Sequence, residues 1–168
     1  DYVVVANVPY YITSKIVQKL LTAENKPRRT VLLVQKEVAE RIAAEPGAMS
    51  LLGVSAQLYA EAKQGLVVPR QFFVPPPKVD SQVVVLETRT QPLVSSADEK
   101  DFFRVVRAGF VAKRKKLRSA LAAGLALDKT EIETILQNAG ISPDWRAEDV
   151  SIAQWLQIMN AWRQHGKL

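Results

Sequence analysis

Runs of apolar residues alternate with amphipathic stretches through the first half of the chain. The runs "YVVVA" (2–6) and "TVLLV" (30–34) are rich in β-branched residues and are typical of parallel strands buried on both faces. The segment between them has helical spacing, and Thr13 or Ser14 is the expected N-cap. Strand, helix and strand in this order predict a βαβ unit.

The elements that follow change the character of the predicted sheet. Helices are expected over 35–44 and 50–60, and strands over 61–69 and 81–89. The connection between these two strands is too short for a crossover helix, so they should be antiparallel. We therefore predict an α/β fold whose sheet is mixed at one edge.

The last part of the chain is helical only. A Pro/Ser linker at about 91–97 precedes it, with Ser96 or Asp98 as the expected cap of the first helix. The predicted helices cover residues 98–111, 115–124, 129–138 and 151–163. The chain should thus consist of an α/β domain over 1–91 and a small all-α domain over 92–168.

The composition narrows the possible chemistry. The 168 residues include no cysteine and one histidine, His165, in a polar tail, so we predict no disulfide, no metal site and no Cys or His nucleophile. The net charge of +6 favours a polyanionic partner such as nucleic acid. No apolar run is long enough to span a bilayer and no signal peptide is recognisable, so we expect a soluble cytoplasmic protein.

Two aromatic loops are candidates for a ligand site. Asn7, Pro9, Tyr10 and Tyr11 directly follow the first strand, where ligands bind in open α/β sheets. An amide oxygen can accept hydrogen bonds from an aromatic amine, and a ring can stack on a flipped base. The alternative is a plain turn whose tyrosines cap the core.

The second aromatic loop is "PRQFFVPPPKVDS" (69–81). Its three consecutive prolines make it rigid, and Phe72 and Phe73 would be costly to expose unless they cover a flat ligand. The alternative is a rigid hairpin connection with one phenylalanine in the core.

A third candidate is the basic cluster, which we define as Lys113, Arg114, Lys115, Lys116 and Arg118. Cations at the start of a helix oppose its macrodipole, so the cluster is not expected to serve helix stability. We predict that it binds phosphate groups, the alternative being a solvated face.

These motifs together resemble those of a known family. "NVPYYIT", "LLVQKEVAERIAAEPG", "FVPPPKVDSQVV", "GFVAKRKKLRSAL" and "AEDVSIAQWLQI" follow the order and spacing of the ribosomal RNA adenine dimethyltransferases. Within the family they are most similar to the small-subunit (16S) branch, whose loss gives kasugamycin resistance. The resemblance implies the C-terminal half of a Rossmann-like methyltransferase sheet followed by a small all-α domain that binds RNA.

The resemblance also assigns roles to residues. The family's Asn-Leu-Pro-Tyr motif falls on 7–10, with Val8 in place of Leu. It implies that Asn7 and the carbonyl before Pro9 hold the target amine, that Tyr10 stacks on the base and that Phe73 closes from the other side. The implied reaction is methyl transfer from S-adenosylmethionine, without a metal, to the exocyclic amines of two adjacent adenines.

The implied partner is small-subunit rRNA or a precursor of the 30S subunit, so the family belongs to rRNA processing and ribosome biogenesis. Its cofactor site is built chiefly upstream of the strand 2–6, from a Gly-rich loop and an acidic residue, and no G-x-G occurs here. Of that site, only Asn7 is expected in this chain. We therefore expect a fragment that is inactive alone and whose strand 2–6 is an exposed edge able to self-associate.

Two alternatives remain. The large-subunit (23S) adenine dimethyltransferases share the Asn-x-Pro-Tyr logic, although the "PPPKVDS" loop and the helical tail favour the small-subunit branch. A non-catalytic RNA-binding or ribosome-assembly module would need only residues 98–168 and the basic cluster.

Overall fold

A computed structural model describes residues 1–166 and divides into two compact units. The first unit comprises residues 1–44 and 52–92, and the second comprises residues 45–51 and the chain from Leu93 onward. Residues 45–51 belong to the second unit because the amides of Gly47 and Met49 both donate to the carbonyl of Glu148. The functional meaning given to residues 1–91 and 92–168 stays a prediction.

The first unit is built around a mixed four-stranded sheet. Its order is β1-β2-β4-β3, in which β1 and β2 are parallel and the other two pairs are antiparallel. The predicted α/β class and the antiparallel pair at one edge are confirmed. In chain order the elements are β1 (Val3–Asn7), α1 (Thr13–Thr22), β2 (Arg29–Gln35), α2 (Lys36–Ile42), α3 (Leu51–Gln57), β3 (Ala60–Val68) and β4 (Ser81–Thr88).

The core of this unit lies on the central strands. Leu32 and Val34 of β2 are fully buried, as are Val84 and Leu86 of β4. The prediction that the first strand is buried on both faces is wrong, because β1 pairs with β2 alone and Val5 is 75% exposed. In the described residues β1 is an exposed apolar edge of the sheet, as we also expected.

The start of α1 also differs from expectation. Its N-cap position is Ile12, so neither Thr13 nor Ser14 caps the helix. The Thr13 hydroxyl instead donates backward, to the carbonyls of Pro9 and Tyr10 at 3.3 Å each. A short 3-10 turn, Tyr10–Ile12, therefore leads directly into α1.

The second unit is helical, as predicted. Its helices are α4 (Glu99–Phe110), α5 (Leu117–Leu125), α6 (Lys129–Asn138) and α7 (Ile152–His165). Trp155 of α7 is fully buried, and a β-carbon at Gly109 of α4 would collide with its ring. A β-carbon at Gly124 of α5 would likewise collide with Ala108 of α4. Glycine at both positions lets the helices approach closely around the indole.

Two of the four helices of this unit, α6 and α7, begin with a capping box of polar side chains. Reciprocal capping boxes begin α6, with Asp128 and Glu131, and α7, with Ser151 and Gln154. Asp98 occupies the N-cap position of α4, one of the two predicted, but its side chain does not cap the helix. Over residues 1–166 we find no helix long and apolar enough to cross a membrane.

Candidate functional site

Three connecting segments meet at one edge of the sheet in the first unit. Parallel β1 and β2 end at this edge, while the antiparallel register places Ser81, the first residue of β4, opposite Gln35 of β2 and Val68 of β3. The segments that follow Asn7, Gln35 and Val68 therefore leave the sheet side by side. The sequence-predicted aromatic loops are two of these three segments.

The Asn7–Tyr10 segment is anchored to the sheet at both ends. Asn7 closes β1 with an exposed side chain, and the amide of the buried Val8 donates to the carbonyl of Leu33 at 3.4 Å. Pro9 precedes the 3-10 turn, and the Tyr10 hydroxyl lies 2.6 Å from the Oγ of Ser81. The fold thus holds the tyrosine against β4 and leaves the Asn7 amide open to solvent.

Hydrogen bonds join the two ends of the loop between β3 and β4. The amide of Arg70 donates to the Asp80 carboxylate at 2.9 Å, and the Arg70 guanidinium donates to the carbonyl of Lys78 at 3.2 Å. The Asp80 carbonyl in turn accepts from the amide of Lys36, the first residue of α2, at 3.0 Å. These contacts fix the base of the loop against the sheet edge.

The aromatic tip of this loop is open. Phe72 is 72% exposed and Val74 is 99% exposed, whereas Phe73 is half-buried. The amide of Phe73 donates to the carbonyl of Arg70, within its own loop. Its closure over a base stays a prediction.

An open groove of about 510 Å³ runs beside the loop base. Its lining comprises three cations, three carboxylates and one apolar residue, namely Lys36, Arg70, Lys78, Glu37, Glu40, Asp80 and Val79. Within α2, Lys36 and Glu40 form an i,i+4 ion pair at 3.9 Å. The groove is therefore close to electrically balanced and does not mark an anion site.

The described residues do not fit a complete S-adenosylmethionine cradle. A nucleotide-type cofactor needs a tight glycine turn at the carboxyl end of a parallel strand. The two glycines with positive φ, Gly47 and Gly140, lie in the second unit and follow neither β1 nor β2. Asn7 is the one expected cofactor contact that lies at the correct edge. Among residues 1–166, no group of three or more histidine or acidic side chains could hold a metal ion.

The basic cluster divides into two parts in the second unit. Lys113, Arg114 and Lys115 are exposed in the turn that precedes α5, whereas Lys116 is at the N-cap position and Arg118 is within the helix. We expected all five cations at the start of the helix. Three of them instead lie in the turn before α5.

The two cations nearest α5 have acidic partners. Lys116 contacts Asp144 at 2.9 Å, and Arg118 contacts Glu133 at 3.1 Å and Asp144 at 3.5 Å. The hydrogen bond and charge of Lys116 hold the pKa of Asp144 below its ordinary value, with a smaller contribution from Arg118. Lys113, Arg114 and Lys115 form no ion pair with any described residue.

Ser81 and Asp80 organise the site but were not among the predicted site residues. The available signal was a polar pair at the start of an otherwise apolar strand, where a β-branched residue would be the usual choice. The partner of each residue lies far away in sequence, at Tyr10 for Ser81 and at Lys36 for the Asp80 carbonyl.

The chain is similar in sequence to proteins of known name. The chain is 44% identical to the ribosomal RNA small subunit methyltransferase A of Dehalococcoides mccartyi over 157 residues, which are 94% of this chain and 54% of that protein. It is 43% identical to the protein of the same name from Bacillus cytotoxicus over an aligned length of 170 positions, which covers 98% of this chain and 58% of the relative. The chain therefore spans about half the length of the curated relatives it matches.

Two solved structures share the fold. The 23S rRNA methyltransferase ErmE matches with a TM-score of 0.73 and 27% identity, over 96% of this chain and 65% of that protein. A dimethyladenosine transferase from Plasmodium falciparum matches with a TM-score of 0.80 and 24% identity, over 98% and 68%, which establishes likeness of fold. The family profile described as ribosomal RNA adenine dimethylase matches residues 1–164. This chain belongs to the ribosomal RNA adenine dimethylase family.

Proposed function

We propose that a protein of the relatives' length that carries this chain dimethylates two adjacent adenines of small-subunit rRNA at their exocyclic amines. S-adenosylmethionine would supply the methyl group. The observation that carries the proposal is the position of the Asn7–Tyr10 segment at the sheet edge where parallel strands end. The names of the curated relatives support the small-subunit substrate.

The chain's own residues would act by positioning. The exposed Asn7 amide oxygen and the Val8 carbonyl are acceptors for the two hydrogens of an aromatic amine. An amine held in this way presents its lone pair, and holding the reacting groups in line is a large part of the rate enhancement. Tyr10, held by Ser81, offers a ring for stacking, and Phe73 on the rigid loop offers a second.

Asn7→Ala tests the division between base pocket and RNA grip. In a protein of full family length, we expect it to lower methyl transfer to a small-subunit rRNA hairpin at least a hundredfold. Affinity for the hairpin should change less than threefold, because the amide contributes little to phosphate binding. Asn25→Ala is a suitable control because it removes the same kind of exposed amide from the turn between α1 and β2, outside the candidate site. Equal losses of turnover and binding for Asn7→Ala would contradict the proposed roles.

A non-catalytic RNA-binding role for this chain alone is the second candidate. The unpaired cations Lys113, Arg114 and Lys115 favour it, since exposed cations without carboxylate partners are available to phosphates. Titration calorimetry of the 168-residue chain measures RNA binding and cofactor binding separately. We expect binding to the rRNA hairpin and none to S-adenosylmethionine, and clear cofactor binding would contradict our assessment of the cofactor cradle.

A further inference from the structure

Helix α4 carries a row of cations outside the basic cluster. Lys100, Arg104 and Arg107, which we call the α4 row, are spaced by four and three residues and are all exposed. With 3.6 residues per turn, their side chains leave the helix within about 60° of one another and cover about 10 Å along its axis. The row therefore forms one continuous positive face.

Two carboxylates at the start of α4 are directed to a cation outside this row. Arg163 of α7 binds both Asp98 and Asp101 at the start of α4. Its Nε donates to the Asp101 carboxylate at 2.7 Å. Hydrogen bonding to Arg163 and then to Ser95 lowers the pKa of Asp98. In the part of the chain that the structure describes, none of the three cations of the α4 row forms an ion pair.

Two members of the row make cation–π contacts with aromatic rings. The guanidinium carbon of Arg104 lies 5.0 Å from the ring centroid of Trp162, and that of Arg107 lies 5.5 Å from the ring centroid of Phe103. Stacking of this kind restrains the side chain while its N–H groups stay free to donate. Such restrained guanidinium groups lose less entropy when they bind phosphate oxygens.

The row leads into the unpaired part of the basic cluster. Helix α4 ends at Phe110, and the turn that follows carries Lys113, Arg114 and Lys115. We propose that the α4 row and this turn form one surface that binds the phosphate backbone of rRNA. By contrast, Lys116 and Arg118 bind Asp144 and Glu133 and serve the fold. This inference rests on the proposed RNA-binding role and names which cations perform it.

The test measures the affinity of the full chain for a small-subunit rRNA hairpin as a function of salt. We expect Arg104→Gln with Arg107→Gln to weaken binding at low salt on the order of tenfold and to reduce the slope of log K against log salt by about two. Arg104→Lys with Arg107→Lys, which keeps both charges, should retain most of the affinity. Lys19→Gln with Lys63→Gln removes the same charge from exposed positions of the first unit and should leave the slope unchanged.

The outcomes separate this inference from the proposed function. One outcome would be that the triple variant Lys113→Gln, Arg114→Gln, Lys115→Gln weakens RNA binding while the α4 variant does not. The proposed role of the α4 row in RNA binding is then overturned, and the RNA-binding role of the turn stands. If the Lys19 and Lys63 variant weakens binding equally, the effect is one of net charge and the proposed surface is again overturned. Absence of hairpin binding by the unaltered chain would overturn both. Thermal unfolding of each variant controls for loss of the Trp162 contact.

Discussion

The hydroxyl of Tyr10 lies 2.6 Å from the Oγ of Ser81, joining the turn after β1 to the first residue of β4 across 71 positions of sequence. Ser81 is fully buried, whereas Tyr10 is half-buried. The two hydroxyls therefore differ in their access to water, and so in the cost of losing the partner. A ring held in this way has its orientation fixed by the fold, and fixing a side chain before a ligand arrives lowers the entropy cost of binding.

We expect Tyr10→Phe to destabilise the first unit by about 1–3 kcal/mol, because the buried Ser81 hydroxyl loses its partner. Ser81→Ala should cost less, about 1 kcal/mol, since the tyrosine hydroxyl can turn to water. Native-state hydrogen exchange of the first unit measures both values. The double variant should cost less than the sum of the two, and full additivity would contradict a direct bond.

Self-association through β1 is a second expectation. A flat apolar edge invites pairing with another chain, and Val5 on this edge is 75% exposed. Sedimentation of the 168-residue chain at high concentration should show dimers or larger species. Val5→Lys should return the chain to monomer, whereas Val74→Lys, at a 99% exposed loop position outside any strand, should not. A monomer at all concentrations would count against edge pairing.

Substitution of Ala126 should raise the stability of the second unit. Ala126 ends α5 with φ of +56°, in the left-handed region where a β-carbon is unfavourable. We expect Ala126→Gly to stabilise the second unit by about 0.5–1 kcal/mol, while Ala123→Gly, on an exposed face within the same helix, should destabilise it by a similar amount. Thermal unfolding compares the two, and a loss of stability in both would contradict the strain at Ala126.

The Arg163 pairs predict an acid-sensitive second unit. The pKa of Asp98 is lowered in the folded state, chiefly by its hydrogen bond to Arg163. Its stabilising contribution is therefore complete above the ordinary carboxyl pKa and is lost as the pH falls through the lowered value. We expect the loss of stability between pH 5 and about pH 3 to be smaller in Arg163→Gln. Arg146→Gln, which breaks a surface pair with Glu148, should keep the pH dependence of the unaltered chain.

Much of this fold could be predicted because its signals are local. The helical spacing of α4 to α7 and the short connection between β3 and β4 depend on residues near in sequence, and the structure confirms both. The burial of β1 was predicted wrongly for a physical reason. A β-branched run indicates what a strand can tolerate on its two faces, while its actual burial depends on which strands flank it.

The site could likewise be predicted only where its signals are local. Asn7 and Tyr10 could be proposed from a short motif, but the bond that holds Tyr10 depends on Ser81, which only the folded sheet brings near. Likewise, five cations within six positions look equivalent in sequence. Only the packing of α5 against its neighbours brings Asp144 and Glu133 to two of them and leaves three unpaired.

The indole of Trp155, packed against Gly109, is one of three that make the second unit optically distinct. All three tryptophans lie in this unit, at Trp145, Trp155 and Trp162, and all four tyrosines lie in the first, at Tyr2, Tyr10, Tyr11 and Tyr59. Emission excited beyond the tyrosine absorption band therefore reports on the helical unit alone. Because Trp162 lies under Arg104, its quenching would also give a direct spectroscopic signal when an RNA backbone reaches α4.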